Sequence, residues 1–209
     1  ARQEPFENTK THILYNAIEN SFLEMASQNR KVTKSPSHVL MVCSLKDYKG
    51  IQEFVILAQQ NLNFNFKLVL NATQNEINVY FSKIDCPLNL QIFDSQTNLH
   101  PFYRWADVIL NLSRPHQWVE TFGLTIIEGM AYGIPAIVPP VGGITELVQE
   151  NTNGFKVDCR KMHLLNEKLN QLFSQREKYQ QMIQYNIDKI NHYSENSFIR
   201  KNLNILSLP

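Results

Sequence analysis

Cysteine is scarce in this 209-residue chain, and the three present, Cys43, Cys86 and Cys159, are odd in number and far apart. They build neither a disulfide framework nor the C-x-x-C spacing of a zinc site, so a reducing cytosol is the expected compartment. No apolar run approaches the roughly 18 to 20 residues that a membrane-spanning helix needs. The N-terminus also lacks a basic segment followed by an apolar one, so neither a membrane span nor an export signal is expected within the segment. Charge of one sign is missing too: 20 Lys and Arg stand against 19 Asp and Glu, a formal net charge of +1. With no global field to draw nucleic acid or an anionic membrane, any anionic ligand must be gripped by a local site. Repeats, low-complexity segments and metal-ligand clusters are likewise not seen.

What is present is an ordinary core-forming composition, 43% hydrophobic, which argues against disorder. From about residue 37, apolar runs of strand length alternate with stretches of helical period. "SHVLMVCS" (37–44) reads as a buried strand. "GIQEFVILAQQNL" (50–62) sets Ile51, Phe54, Val55, Ala58 and Leu62 at helical spacings. Strands follow at 66–70, 88–94, 107–113, 136–140 and 155–158, and helices at 73–83, 99–106 and 124–132. "GGITELVQE" (142–150) reads as a glycine turn and helix, and 160–192 as a polar, mostly helical region. Gly133, with Pro135 beyond it, stops the helix that begins near Leu124. Strands alternating with helices predict a doubly wound parallel sheet, Rossmann-like, with helices on both faces. Ligands in such sheets bind beyond the carboxyl ends of the strands near the switch point. The loops 44–50, 71–75, 94–98, 113–124 and 140–145 are therefore the places to search.

One of them leads into "ETFGLTIIEGMAYGIP" (120–135). Ile126, Ile127, Met130 and Ala131 cover so much of the helix that Glu128 has no broad polar face to share. A carboxylate withdrawn from water costs several kcal/mol unless paired, so Glu128 requires either a structural partner or a ligand. Upstream, Phe122-Gly123 lets the backbone turn tightly and leaves the first free N–H groups of the helix in the crevice, a phosphate-binding arrangement. Glu128 lies about 6 Å along the axis from the helix start, on the side of Leu124. Glu120 stands on the other side of the turn. Two carboxylates flanking an anion site suit a ligand with hydroxyls at both ends and phosphate in the middle, which is the form of a nucleotide sugar.

Glu120, seven residues, then Glu128, within "ETFGLTIIEGMAYGIPAIVPPVGGITELV", closely resembles the E-x7-E region of family 4 retaining glycosyltransferases. "CSLKDYKG" (43–50) resembles that family's G-R-L-x-x-x-K-G segment, and "ILYNAIE" (13–19) the stretch joining its two domains. The resemblance covers nearly the whole chain. It implies a B-type enzyme with two Rossmann-like domains, of which this chain is similar to the C-terminal, donor-holding one alone. It further implies that Glu120 hydrogen-bonds the transferred sugar and that N–H groups at Phe122, Gly123, Leu124 and Thr125 hold the diphosphate. Glu128 would then bind the ribose hydroxyls, and Lys49 would neutralise the leaving group. No metal or other cofactor is implied. The expected partners are the nucleotide-sugar donor and the N-terminal acceptor domain, with peripheral membrane association open for the full-length enzyme.

The match departs at Ser44, where the family carries an arginine; a hydroxyl gives one neutral bond in place of a charged bidentate grip. Lys46 or Arg114 are candidates to replace that charge, and each also reads as a solvated surface cation. Asp94 and Ser95 fall where the nucleotide base is expected. His116 and Trp118 could cover the sugar but read more simply as a surface histidine and a packing indole, and Gly142-Gly143 reads as a turn that the resemblance places near the donor, as lining of its site. The expected organisation is a joining extension (1–20), the nucleotide-sugar-binding domain (21–192) and a C-terminal segment (193–209) that packs on the other domain. The start at Ala1 is consistent with a fragment. A non-catalytic binding module, or an epimerase of similar fold, is the alternative to a transferase.

Overall fold

The computed structural model describes residues 12–30 and 35–207. The first eleven residues of the expected joining extension and the last two of the C-terminal segment lie outside the described residues. Six parallel strands, β1 (His38–Ser44), β2 (Asn65–Asn71), β3 (Leu90–Phe93), β4 (Val108–Leu110), β5 (Ala136–Val138) and β6 (Gly154–Lys156), form one sheet in the order β3-β2-β1-β4-β5-β6. The order reverses at β1, whose Val39 pairs with Phe66 of β2 on one side and Val108 of β4 on the other. This is the doubly wound, Rossmann-like arrangement that the alternation predicts.

The helices are α1 (Asn20–Asn29), α2 (Ile51–Gln60), α3 (Gln74–Phe81), α4 (His100–Trp105), α5 (Leu124–Ala131), α6 (Met162–Ser174), α7 (Arg176–Lys189) and α8 (Glu195–Leu206). Because successive strand side chains point to opposite faces, the run Val39-Leu40-Met41 feeds two cores. Val39 and Met41 pack with Phe54 and Leu57 of α2 and Leu165 and Leu169 of α6. Leu40 packs with Tyr103 of α4, Ala26 of α1, and Ile126, Ile127 and Met130 of α5. Ile126, Ile127, Met130 and Ala131 are at most 2% exposed. At about 1.5 to 3 kcal/mol for each large buried side chain, α5 is firmly fastened, and whatever its N-terminus holds is held rigidly.

Two features differ from the expectation, and a third, the helical region 160–192, is borne out in more detail. Helix α1 lies in a stretch whose period gave no warning of it. "GGITELVQE" forms only a 3-10 turn, Gly143–Glu146, because Asn153 takes over the hydrogen bonds a continuing helix would make. The Asn153 Oδ1 accepts from the Gln149 amide at 2.7 Å, and its Nδ2 donates to the Leu147 carbonyl at 3.0 Å and to Asn186 Oδ1 at 3.0 Å. The polar stretch 160–192 is two α-helices, α6 and α7, broken at Gln175 and followed by a 3-10 turn at Ile190–Tyr193. Each helix buries its own stripe: Leu165, Leu169 and Leu172 on one, Tyr179, Met182 and Asn186 on the other.

The two ends of the described chain lie side by side. Ile18 bridges to Ser194, the Asn20 amide donates to Glu195 Oε2 at 3.0 Å, and the Ser194 side chain caps α8 by accepting from the Ser197 amide at 3.3 Å.

Candidate functional site

The crevice opens beyond the carboxyl ends of β1 and β4, at the reversal of strand order, where ligands of such sheets bind. After β1 the chain makes a 3-10 turn, Asp47–Lys49, that ends at Gly50 in a left-handed conformation, φ 76°. A Cβ at Gly50 would overlap the backbone of Leu112. This close approach sets Lys49 beside the segment after β4, where its ammonium pairs with Glu120 Oε1. The same oxygen accepts from Ser113 Oγ at 2.7 Å and from Asn111 Nδ2 at 3.4 Å. Asn111 and Ser113, two apart on an extended chain, share one face, a signal the sequence reading did not use. Glu120 Oε2 has no partner among the described residues. Burial alone would raise the Glu120 carboxyl, but the Lys49 and Ser113 hydrogen bonds outweigh it and hold the group below the usual carboxylate range.

Trp118 stacks on Tyr48 with 5.1 Å between centroids, and the Lys49 ammonium lies 5.7 and 5.6 Å from the Tyr48 and Trp118 rings. The indole thus flanks the lysine rather than merely packing, and Tyr48 joins the site unannounced. His116 is exposed.

Gly123, at φ 132°, turns the chain into α5, and no side chain caps that helix. The first bonded amides are those of Ile126 and Ile127, both to the Gly123 carbonyl. The N–H groups of Leu124 and Thr125 therefore remain for another acceptor, at the positive end of the helix dipole. Gly142 and Gly143 bring their loop against the backbone of Glu120 and Thr121, where a Cβ on either would overlap a carbonyl. The glycine pair buttresses the Glu120 turn instead of lining the crevice.

Two cavities flank the α5 terminus and share Leu99. One, of about 410 Å³, is bordered by Ser44, Asn71, Ser95, Gln96 and Thr125. The other, of about 310 Å³, is bordered by Phe22, Thr97, His100, Leu124 and Glu128. Glu128 has a structural partner after all: Tyr103, fully buried on α4, donates its hydroxyl to Glu128 Oε2. Its Oε1 has no partner among the described residues. Burial pushes the Glu128 carboxyl up, and the Tyr103 bond offsets only part of this. Burial, the Glu128 charge and their hydrogen bond push the Tyr103 hydroxyl well above its ordinary value. The two carboxylates of the pair are thus driven in opposite directions by their surroundings.

Other expected residues fall differently. Arg114 forms a bidentate pair with Glu53 of α2, Nε to Oε1 at 2.7 Å and Nη2 to Oε2 at 3.0 Å. Its guanidinium is committed there and does not supply the charge missing at Ser44. Lys46 is exposed and borders neither cavity. Asp94 also borders neither; its Oδ1 accepts from Gln96 Nε2 at 2.8 Å, so Ser95 and Gln96 form the wall and Asp94 orients Gln96. Replacing Arg114 by alanine is expected to leave donor affinity and its salt dependence unchanged. It should lower stability by about 1 to 3 kcal/mol, because Glu53 is left largely buried and unpaired. Urea unfolding beside a donor titration checks both halves.

The sheet order and the crevice at its switch point define a Rossmann-like domain of the kind found in GT-B glycosyltransferases. Anabaena Alr3699/HepE, solved in complex with UDP, superposes with a TM-score of 0.78 at 18% identity, covering 94% of this chain and 57% of that one. The C-terminal domain of a Francisella tularensis glycosyl transferase group 1 family protein (LpcC), solved on its own, gives a TM-score of 0.63 at 19% identity over 90% of this chain and 99% of that chain. At these identities the likeness is one of fold.

The family follows from sequence: the model of the glycosyl transferases group 1 family matches residues 24–189, and the chain belongs to that family. The N-acetyl-alpha-D-glucosaminyl L-malate synthase of Bacillus anthracis is 27% identical over 160 residues, 71% of this chain and 40% of the relative. The match therefore spans less than half the length of that relative. No described helix is long and apolar enough to cross a membrane.

Proposed function

We propose that this chain is the donor-binding domain of a retaining glycosyltransferase of family 4, which transfers a sugar from a nucleoside-diphosphate sugar to an acceptor hydroxyl. One observation carries the reading. On either side of an uncapped helix terminus stands a carboxylate with one oxygen fixed by protein donors and the other unpartnered among the described residues: Glu120 by Lys49 and Ser113, Glu128 by Tyr103. Glu120 holds the transferred sugar, the amides of Phe122 to Thr125 hold the diphosphate, and Glu128 holds the ribose. The wall formed by Ser44, Ser95 and Gln96 receives the base. Uridine is the first base to try, because Anabaena HepE was solved with UDP and with UDP-glucose.

Departure of the diphosphate develops negative charge, and catalysis is chiefly its electrostatic stabilisation by Lys49 and the α5 terminus. Preorganised groups of this kind contribute several kcal/mol. The scheme uses no metal. A pair of carboxylates could instead serve hydrolysis as acid and nucleophile, but a phosphate-binding helix start lies between these two.

The acceptor site belongs to an N-terminal domain outside this chain. Ile199, Leu203 and Leu206 are 55, 61 and 80% exposed on α8. Their spacing places them along one helix face, and such a face supports packing against that domain. By itself the chain is then a module that holds the donor without transferring the sugar. For the full-length enzyme we assign a role in building polysaccharides or glycoconjugates at the cytoplasmic side.

Product analysis of the full-length protein with donor and acceptor tests the chemistry. The expected product keeps the donor's anomeric configuration. An inverted product would remove the retaining assignment, and an epimerised donor formed without acceptor would replace transfer by epimerisation.

A further inference from the structure

A third cavity, of about 490 Å³, shares no lining residue with the two beside α5. It lies among the N-terminal segment, the Gly143–Glu146 turn, β6, α7 and α8. Its size is that of a small-molecule site. Three lysines from three separate elements border it: Lys156 of β6, Lys189 at the end of α7 and Lys201 of α8. None of the three makes an ion pair among the described residues. Lys189 and Lys201 instead lie 5.7 and 5.9 Å from the ring centroids of Tyr185 and Tyr15. Glu146 is the one carboxylate of the lining, and its Oε2 already accepts the Tyr15 hydroxyl. Nearby Glu150 is engaged by the Lys156 backbone amide at 2.8 Å. Three lysines against one carboxylate in the lining make the space locally cationic, which favours an anion as its occupant.

We propose that this cavity binds a phosphate group, carried either by inorganic phosphate or by a phosphorylated sugar. The lysines supply the charge. The half-buried Tyr15 and Tyr185 and the polar Thr145 and Gln149, all in the lining, offer apolar edges and hydrogen-bonding groups to a sugar ring. The cavity also reaches the donor crevice through two contacts. The Tyr15 ring stacks on Phe122, 6.4 Å between centroids, and Thr145 and Glu146 continue the turn whose Gly143 packs on the Thr121 backbone. An occupant therefore touches the loop that buttresses Glu120.

The test is a site-resolved titration of the isotope-labelled 209-residue chain with inorganic phosphate, a hexose monophosphate and the neutral hexose, reading backbone amide shifts. The expected result is saturable shifts at residues 145–149, 156 and 189–193 with the phosphorylated probes and none with the neutral hexose. The K156Q/K189Q/K201Q variant should lose them. Tighter saturation by the hexose monophosphate identifies a phosphorylated sugar as the source, and equal saturation identifies free phosphate. No shifts at millimolar probe, shifts confined to residues 122–125, or shifts that persist in the triple variant would each overturn the proposal. Should the triple variant fail to fold, the single K189Q, K201Q and K156Q changes decide in the same way. At least one must weaken binding several-fold, and unchanged affinity in all three overturns it. Because the readout is local, it is independent of whether the α5 crevice binds a nucleotide sugar.

Discussion

Lys49→Ala is expected to lower kcat of the full-length enzyme by about 100- to 1,000-fold, the usual cost of removing one preorganised charge-stabilising donor, while KM for the donor moves by only a few-fold. The lysine matters most when the glycosidic bond breaks, because the charge it meets is developed by departure of the diphosphate and is smaller in the ground state. Its position makes the effect large. The ammonium lies beside the stacked Tyr48 and Trp118 rings and is fixed by Glu120, so it needs little reorganisation as the charge appears. The same substitution has a separate signature in stability. The Glu120 carboxyl is held below the usual range by the Lys49 and Ser113 bonds against the pull of burial. A carboxyl with a depressed folded-state value stabilises above its unfolded value and loses that contribution as pH falls through the folded one. The stability gap between wild type and Lys49→Ala should therefore be widest near neutral pH and close on acidification. Lys49→Arg restores the charge and should recover much of both effects. Steady-state kinetics with urea unfolding at several pH values provides the check, and a kcat unchanged by Lys49→Ala would remove the lysine from the mechanism.

Much of this arrangement can be read from residue types and spacing. The alternation of apolar runs announces the parallel sheet because buried strands need no polar face, and all six expected strands are present. The apolar circumference around Glu128 correctly marks a carboxylate that burial strains. The pattern cannot show which distant side chain meets it: Tyr103, 25 residues away on α4, reads in sequence as one more core aromatic. Arg114 illustrates the converse. A cation at a strand end in the site loop looks available for phosphate, but Glu53, 61 positions away on α2, takes its Nε and Nη2 in a bidentate pair. Long-range pairing of this sort depends on packing angles between elements, and local propensity does not encode them. The 3-10 turn at Gly143–Glu146 was missed for a related reason. Its sequence favours a helix, and the side chain of Asn153, several residues on, supplies the competing hydrogen bonds.

Glu128→Ala carries the second large effect, a loss of donor affinity of about 100-fold, corresponding to about 3 kcal/mol for charge-assisted bonds to two ribose hydroxyls. The pH dependence runs opposite to that of Glu120. Burial raises the Glu128 carboxyl, so the ionised form is favoured less in the folded chain than in the unfolded one. A carboxyl of this kind costs stability as pH rises through its unfolded value and on to its folded one. Glu128→Gln should thus be more stable than wild type at neutral pH, with the difference vanishing in acid, and yet bind donor less well. Wild-type donor affinity should be flat at neutral pH and fall as the carboxyl protonates, at a pH above that of an ordinary glutamate. A side chain kept at the expense of stability, whose removal harms only binding, is the mark of a ligand-holding group. If Glu128 served structure through Tyr103 alone, Glu128→Ala would lower stability and leave affinity untouched.

The donor site itself is tested most directly by calorimetric titration of the 209-residue chain, wild type and Glu128→Ala, with the UDP, GDP, ADP and TDP forms of a sugar at up to millimolar concentration. The account predicts saturable binding of at least one nucleotide sugar by the wild type, weakened about 100-fold by the substitution. Absence of binding by all four, or binding that Glu128→Ala leaves unchanged, would contradict it.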